Sequence, residues 1–263
     1  MSLNDLPKPA IFAHRGASCY APENTLAAFK LALQQGADGI ELDAKLTSDG
    51  HVVVIHDQTV DRTTPHHGRV RDYRLNDLRK MDAGSHFDIA FKGEPIPSLD
   101  EVFRAVGQLT FINVELTNYA SPLDELPQKV AELVRQYKLG QRVMFSSFNP
   151  IALIRIRRLI PEAPIGLLAF PGRKGALARS RIGGLLAYQS LHPEANDVSP
   201  GLVNRVQRGG GKVFVYTVNR EEDMLRLFEM GVDGIFTDDP LLGQKAAQEF
   251  QRKTANSRRE IKQ

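Results

Sequence analysis

The sequence has one cysteine, Cys19, in 263 residues. An intrachain disulfide and a cysteine-built zinc site are therefore both excluded. A disulfide-free chain suits a reducing compartment, so a cytoplasmic location is expected. Cys19 itself reads as packed or incidental rather than as a catalytic thiol. Apolar runs of about 18 residues are also missing, so no transmembrane helix and no stable membrane insertion are expected. The opening "MSLNDLPKPAIFAHRG" lacks a basic flank followed by a long apolar run, which argues against a secretory signal. A basic face is lacking too, despite a net charge of +3. The tail Arg252 to Gln263 holds five Lys/Arg and one Glu, a net +4, so the rest of the chain is at −1. Nucleic acid is not an expected partner, because no recognised module carries the charge. The tail, residues 252–263, reads as a frayed helix end, with surface or protein attachment as the minority alternative.

What is present is an ordinary globular mixture, 42% hydrophobic and 25% charged, which directs attention to pattern rather than composition. Eight short apolar runs read as strands: "AIFAHRG", "GIELDAKL", "TFINVELT", "RVMFSSF", "IGLLAF", "LLAYQSL", "KVFVYTVN" and "GIFTDD". Amphipathic stretches such as "SLDEVFRAVG", "NPIALIRIRRLIP" and "REEDMLRLFEMG" lie between most of them. Alternating strands and helices indicate βα units and a parallel sheet. Eight units in a chain of this length predict a TIM (β/α)8 barrel forming a single domain over residues 1–263. An open doubly wound sheet is the competitor, but no glycine-rich phosphate fingerprint follows the first strand. The segment "GALARSRI" is a poor helix and the least clear part of the chain.

One connection is too long for a βα loop, which spans about 2–6 residues. Residues 58–97 are polar and rich in Arg and Asp, with one short helical candidate, "LNDLRKM". They predict a small insertion after the second strand, capping one end of the barrel and packed on Tyr73, Leu75, Leu78, Met81, Phe87 and Phe91.

The stretch "GIELDAKLTSDGHVVVIHD", Gly39 to Asp57, holds more ionisable groups than a core strand should. Residues two apart share a strand face, so Glu41, Asp43 and Lys45 lie together. Asp49-Gly50 suggests a two-residue hairpin turn, which would set Ser48 against His51 and Asp43 against His56. In "FINVELT", Asn113 and Glu115 share a face with Thr117, and "AIFAHRG" ends in His14-Arg15-Gly16. Three carboxylates, Glu41, Asp43 and Glu115, thus converge at the carboxyl-terminal rim, where barrel enzymes do chemistry. Burying three anions together is costly without a cation. An all-oxygen set suits a hard ion, Mg²⁺ or Ca²⁺, rather than zinc.

The blocks "AHRGASCYAPENTLAAF", "GIELDAKLTSDGHVVVIHDQTVDRTT", "NVELT" and "VYTVNREEDMLRLFEMGVDGIFTDDP" strongly resemble the glycerophosphodiester phosphodiesterase family, from Ala10 to about Pro240. The resemblance implies a TIM barrel with an insertion after the second strand. It also implies metal-dependent hydrolysis of a small-molecule glycerophosphodiester to glycerol 3-phosphate and an alcohol. Carried over residue by residue, it makes Glu41, Asp43 and Glu115 the ligands of one divalent cation and His14 and His56 the acid–base pair. Arg15 would grip the phosphate and Tyr216 would wall the glycerol pocket. The chain departs from the family pattern where many members have lysine two residues after the third carboxylate; here Thr117 stands there, and Lys45 is the candidate replacement. Two alternatives remain. A phospholipase of the same barrel would want apolar docking loops, and the insertion is polar. A non-catalytic binding barrel would have lost some of the five metal and histidine positions, all of which are present.

Overall fold

A computed structural model describes the backbone of residues 1–260 and the side chains of residues 1–256. Nine strands form one sheet: β1 (Ala10–Ala13), β2 (Gly39–Leu46), β3 (Val52–Val54), β4 (Phe111–Leu116), β5 (Val143–Ser147), β6 (Ile165–Ala169), β7 (Ser190–Pro193), β8 (Lys212–Val215) and β9 (Gly234–Thr237). All except β3 run parallel, and β1 pairs with both β2 and β9, so eight strands close into a barrel. The helices are α1 (Leu26–Gln34), α2 (Leu75–Leu78), α3 (Leu99–Val106), α4 (Leu126–Gln136), α5 (Pro150–Leu159), α6 (Pro200–Arg208), α7 (Glu221–Glu229) and α8 (Pro240–Glu260). The expected TIM barrel with its insertion after the second strand is the observed fold.

Local chemistry explains the helix starts. Ser98 and Glu101 form a reciprocal capping box on α3. Asn149 and Ser199 cap α5 and α6, each followed by proline at the first helical position, where its missing N–H costs nothing. The outward strand faces, such as Ile40, Leu42, Ile112 and Val114, are fully buried against these helices in the main core. The inward faces are apolar at the bottom, where Phe12, Phe111, Met144, Phe214 and Phe236 pack with Leu3. Polar groups occupy the upper layers.

Two expectations about local structure are corrected. The hairpin between β2 and β3 is not closed by a two-residue turn. Thr47 N–H donates to His51 O at 3.0 Å and Gly50 N–H to Thr47 O at 3.2 Å, with Gly50 at φ 73°. This is a three-residue loop with a left-handed glycine. Only Gly50 takes a positive φ, because the Asp49 carboxylate is held by Thr47 Oγ1 and Leu75 N–H. The register therefore slips by one: Ala44 faces Val54, and Asp43 faces Ile55, not His56. The seventh strand is also shorter than "LLAYQSL", starting at Ser190. Between β6 and β7 two 3-10 turns, Gly172–Gly175 and Gly183–Leu186, stand where a helix would sit.

Residues 58–97 contain two 3-10 turns and α2. Val60, Val70, Leu78, Met81, Ala83 and Ile96 form a second apolar cluster with Val53 and Ile55 of the hairpin. Phe87 and Phe91 do not belong to it: they stack edge-to-face on each other, and Phe87 is exposed. Their flanking Gly84 and Gly93 turn that segment back on itself, so it packs locally instead. The expected frayed tail falls partly on 261–263, which lie outside the described residues; α8 continues to Glu260.

Candidate active site

The carboxyl ends of the strands open into a cavity of about 240 Å³ lined by His14, Arg15, Glu41, His56, Asn113, Glu115, Ser146, Phe148, Leu168, His192, Tyr216, Thr217 and Phe236. Five strands carry its central groups. Glu41 and Asp43 come from β2 and Glu115 from β4, with Asp43 directly beside Glu115 in the ladder. One ligand oxygen from each of the three carboxylates lies within 4.8 Å of the others. Asp43 does not line the cavity but lies beneath it, where Asn24 Nδ2 donates to its Oδ2 at 2.9 Å. Glu41 Oε1 is buried without a hydrogen-bond partner. Burial, then Asp43 and Glu115, push the Glu41 pKa well up. Burial and the charge of Asp43 push Glu115 to about 8. This charge arrangement is unfavourable by itself and fits a missing hard cation: only oxygens are offered, and one is orphaned.

Arg15 reaches the cluster through an unusual backbone. It sits at φ 57°, in the left-handed region, and is followed by Gly16 at φ 84°. Sidechain-bearing residues pay for that conformation and persist there when surroundings fix it. Here the Arg15 N–H donates to Glu41 Oε2 at 3.0 Å, Nη1 to Glu23 Oε1 at 3.0 Å, and Nε lies 3.4 Å from Asp43 Oδ2. Burial opposes its charge, but Asp43, Glu23 and Glu41 outweigh it and raise the Arg15 pKa.

Each histidine has an aspartate behind it. His14 Nδ1 lies 2.7 Å from Asp238 Oδ1, and His56 Nδ1 2.6 Å from Asp57 Oδ1. A carboxylate on Nδ1 fixes the ring and leaves Nε2 for other work. Ser18 also donates to Asp238, at 3.0 Å. Arg62 donates to Asp57 and, through a fork at 2.6 and 2.8 Å, to Glu23. His56 reaches the cavity although the hairpin register does not pair it with Asp43, because the chain leaves the ladder after Ile55.

The remaining residues singled out in the sequence divide. Tyr216 lines the cavity; its hydroxyl donates to Ala169 O at 2.8 Å and its ring meets Phe148 edge-on. Lys45 does not line it. Its Nζ donates to Thr117 Oγ1 at 2.7 Å, in a neighbouring cavity of about 290 Å³ shared with Gln58, Arg69, Arg71 and Asn118. Burial lowers the Lys45 pKa despite Asp43 and Glu115 nearby. Cys19 is exposed, and its pKa is raised by partial burial and by Asp239 and Asp238, the wrong direction for a nucleophile.

Several site residues escaped the sequence reading. Glu23 and Asn24 lie in "PENT", within a block that carries the resemblance, yet neither drew attention. Tyr119 donates to Glu115 Oε1. His192 sits wholly buried at the cavity floor, its Nε2 2.8 Å from Ser190 Oγ and its Nδ1 without a partner. Gly166 makes room for it, since a Cβ there would meet His192 Nε2 at 2.5 Å.

A closed barrel whose rim gathers three carboxylates, an arginine and two aspartate-backed histidines defines a hydrolase for phosphoric esters. The glycerophosphoryl diester phosphodiesterase family model matches residues 14–242, and the chain belongs to that family. It is accordingly an enzyme that hydrolyses glycerophosphodiesters. A glycerophosphodiester phosphodiesterase of Caldanaerobacter subterraneus is 44% identical over 234 residues, covering 89% of this chain and 95% of that protein. One from Bacillus subtilis is 33% identical, covering 89% and 84%. Among solved structures, an Oleispira antarctica phosphodiesterase in complex with the product sn-glycerol-3-phosphate superposes with a TM-score of 0.83 at 33% identity, covering 92% of this chain and 97% of that one. Among the described residues no helix is long and apolar enough to cross a membrane.

Proposed function

We propose that this chain cleaves glycerophosphodiesters to glycerol 3-phosphate and an alcohol with one divalent cation, Mg²⁺ or Ca²⁺, held by Glu41, Asp43 and Glu115. His14 and His56 would move the protons, Arg15 would grip the phosphate and Tyr216 would wall the glycerol. The observation that carries the reading is the pair of imidazoles, each backed by an aspartate and both lining one cavity with the carboxylate cluster. The sn-glycerol-3-phosphate in the Oleispira neighbour supports the product.

A bound cation would neutralise charge that shifts to the phosphoryl oxygens during displacement. The chain's own groups divide the rest. Arg15, already charged and held by three carboxylates, offers a planar fork to the phosphate. One histidine removes a proton from the attacking hydroxyl and the other gives one to the departing alkoxide, with neutral-range pKa suiting both tasks. Asp238 and Asp57 hold each ring in one orientation. Residues 58–97 would close over the rim, tied down by Arg62 on Glu23 and by Arg69 and Arg71 beside Thr117. A single thiol suits a reducing compartment, and work in the cytoplasm is part of this proposal.

The test is a coupled assay for glycerol 3-phosphate release from glycerophosphocholine and glycerophosphoethanolamine. Turnover should vanish with chelator and return with Mg²⁺ or Ca²⁺. Unchanged turnover under chelation and in Glu115→Ala would refute the metal assignment.

A further inference from the structure

Beside the catalytic cavity runs a second, apolar one of about 300 Å³, walled by Phe148, Leu167, Phe170, Leu177, Ile182 and Leu186. Phe148 and Leu168 line both, so the groove continues from the Tyr216 end of the catalytic cavity. Phe148 stacks on Phe170 at 4.2 Å between ring centroids and meets Tyr216 edge-on at 6.0 Å, forming a continuous aromatic wall. The segment between β6 and β7 supplies most of the groove, and it leaves large apolar groups in water: Phe170 is 47% exposed, Leu177 62%, Ile182 60% and Leu185 83%. Clustered exposure of this kind marks a binding surface. The segment is nonetheless built. Arg179 pairs with Asp197 at 2.9 Å and donates to Phe170 O and Gly172 O, and Arg157 of α5 donates to Leu186 O. Residues 170–189 hold four cations, Arg173, Lys174, Arg179 and Arg181, and no acidic residue.

We propose that this groove receives the acyl chain of a monoacylated glycerophosphodiester, making lysophospholipids a second substrate class. The proposal rests on the reading that Tyr216 marks the glycerol end of the cavity. With glycerol there, a chain on its outer hydroxyl runs past Phe148 into the groove, and the headgroup faces the polar cavity of Lys45, Arg69 and Arg71. One groove takes one chain, which selects a single acyl group over two. The basic, acid-free segment complements the phosphates of a lipid surface. Apolar docking loops were sought in the insertion, which is polar; they are found between β6 and β7 instead. The reaction is the same hydrolysis: the P–O bond to the headgroup breaks, a P–O bond to the oxygen of water forms, and the alcohol leaves with a proton. The products are an acylglycerol phosphate and the free alcohol.

The full chain, assayed with its divalent cation, would be given glycerophosphocholine and its hexanoyl, octanoyl and decanoyl derivatives below their micelle concentrations, with choline release as readout. KM should fall along the series, by up to about fourfold per buried methylene. Dividing kcat/KM on the decanoyl substrate by each variant's own value on glycerophosphocholine removes any general loss of folded enzyme. That ratio should drop by about tenfold or more in Leu177→Asp and Ile182→Asp and stay near wild type in Leu177→Met. A flat KM series, or a ratio unmoved by both aspartates, overturns the acyl-chain groove while the hydrolase reading stands. Failure to cleave glycerophosphocholine as well overturns both.

Discussion

Lys45 Nζ donates to the hydroxyl of Thr117 at 2.7 Å, across adjacent parallel strands. The position where many relatives carry a lysine thus holds an ammonium after all, delivered from the neighbouring strand. Lys45→Thr should lower kcat/KM on glycerophosphocholine by about tenfold or more, and adding Thr117→Lys should restore most of it. Equal activity of both variants would show that the charge does not matter there.

The Glu115 carboxyl titrates upward, from 4.5 to about 8, because burial and then Asp43 oppose its charge. In the chelated protein the folded state keeps a proton that the unfolded chain releases. Stability from this group is therefore full below about 4.5 and is lost as pH rises to about 8. Added cation should stabilise little at pH 5 and by a few kcal/mol at pH 8, as read by urea unfolding. Glu115→Gln should flatten the chelated profile. A chelated profile equally flat in wild type would refute the coupling.

Removing either His14 or His56 should reduce turnover on glycerophosphocholine by about 10²–10⁴-fold. A nitrophenyl diester has a leaving group that needs little protonation, so it should rescue the variant lacking the acid and not the other. Equal rescue of both would end the division of labour. Asp238→Asn, which keeps the size but not the charge behind His14, should shift the pH–rate profile without abolishing binding.

His192 moves the opposite way from Glu115: complete burial lowers its pKa from 6.5 to about 3. Below pH 6.5 the unfolded chain takes a proton that the folded chain refuses. Stability from this residue is present above 6.5 and is lost as pH falls toward 3, at about 1.4 kcal/mol per pH unit. Between pH 7 and pH 5, wild type should lose about 2 kcal/mol more than His192→Asn. Parallel losses in both proteins would place the proton elsewhere.

The barrel was legible because each strand alternates outward apolar residues with inward ones, and that period survives in a single sequence. Glu41, Asp43 and Glu115 stood out for the same reason, as charge on an otherwise apolar face. Long-range pairs left no such trace. His14 and Asp238 are 224 positions apart and meet only because β1 and β9 close the barrel. The hairpin register was misread because turn preference alone ignores the side chain of Asp49, which Thr47 and Leu75 hold. The β6–β7 segment hid its apolar surface because it follows neither the helical nor the strand period; 3-10 turns shape it.

Glu23 accepts hydrogen bonds from Arg15 at the barrel rim and from Arg62 in the insertion. Arg62 in turn holds the aspartate behind His56. The insertion therefore acts as a latch whose state the chemistry can sense. Were residues 58–97 to lift, Glu23 would lose one of its two guanidinium partners and His56 would lose the brace on its aspartate in the same motion. Amide exchange within the insertion and catalytic competence should then rise and fall in opposition, so opening of this segment serves as an off switch without any residue of the barrel having to move.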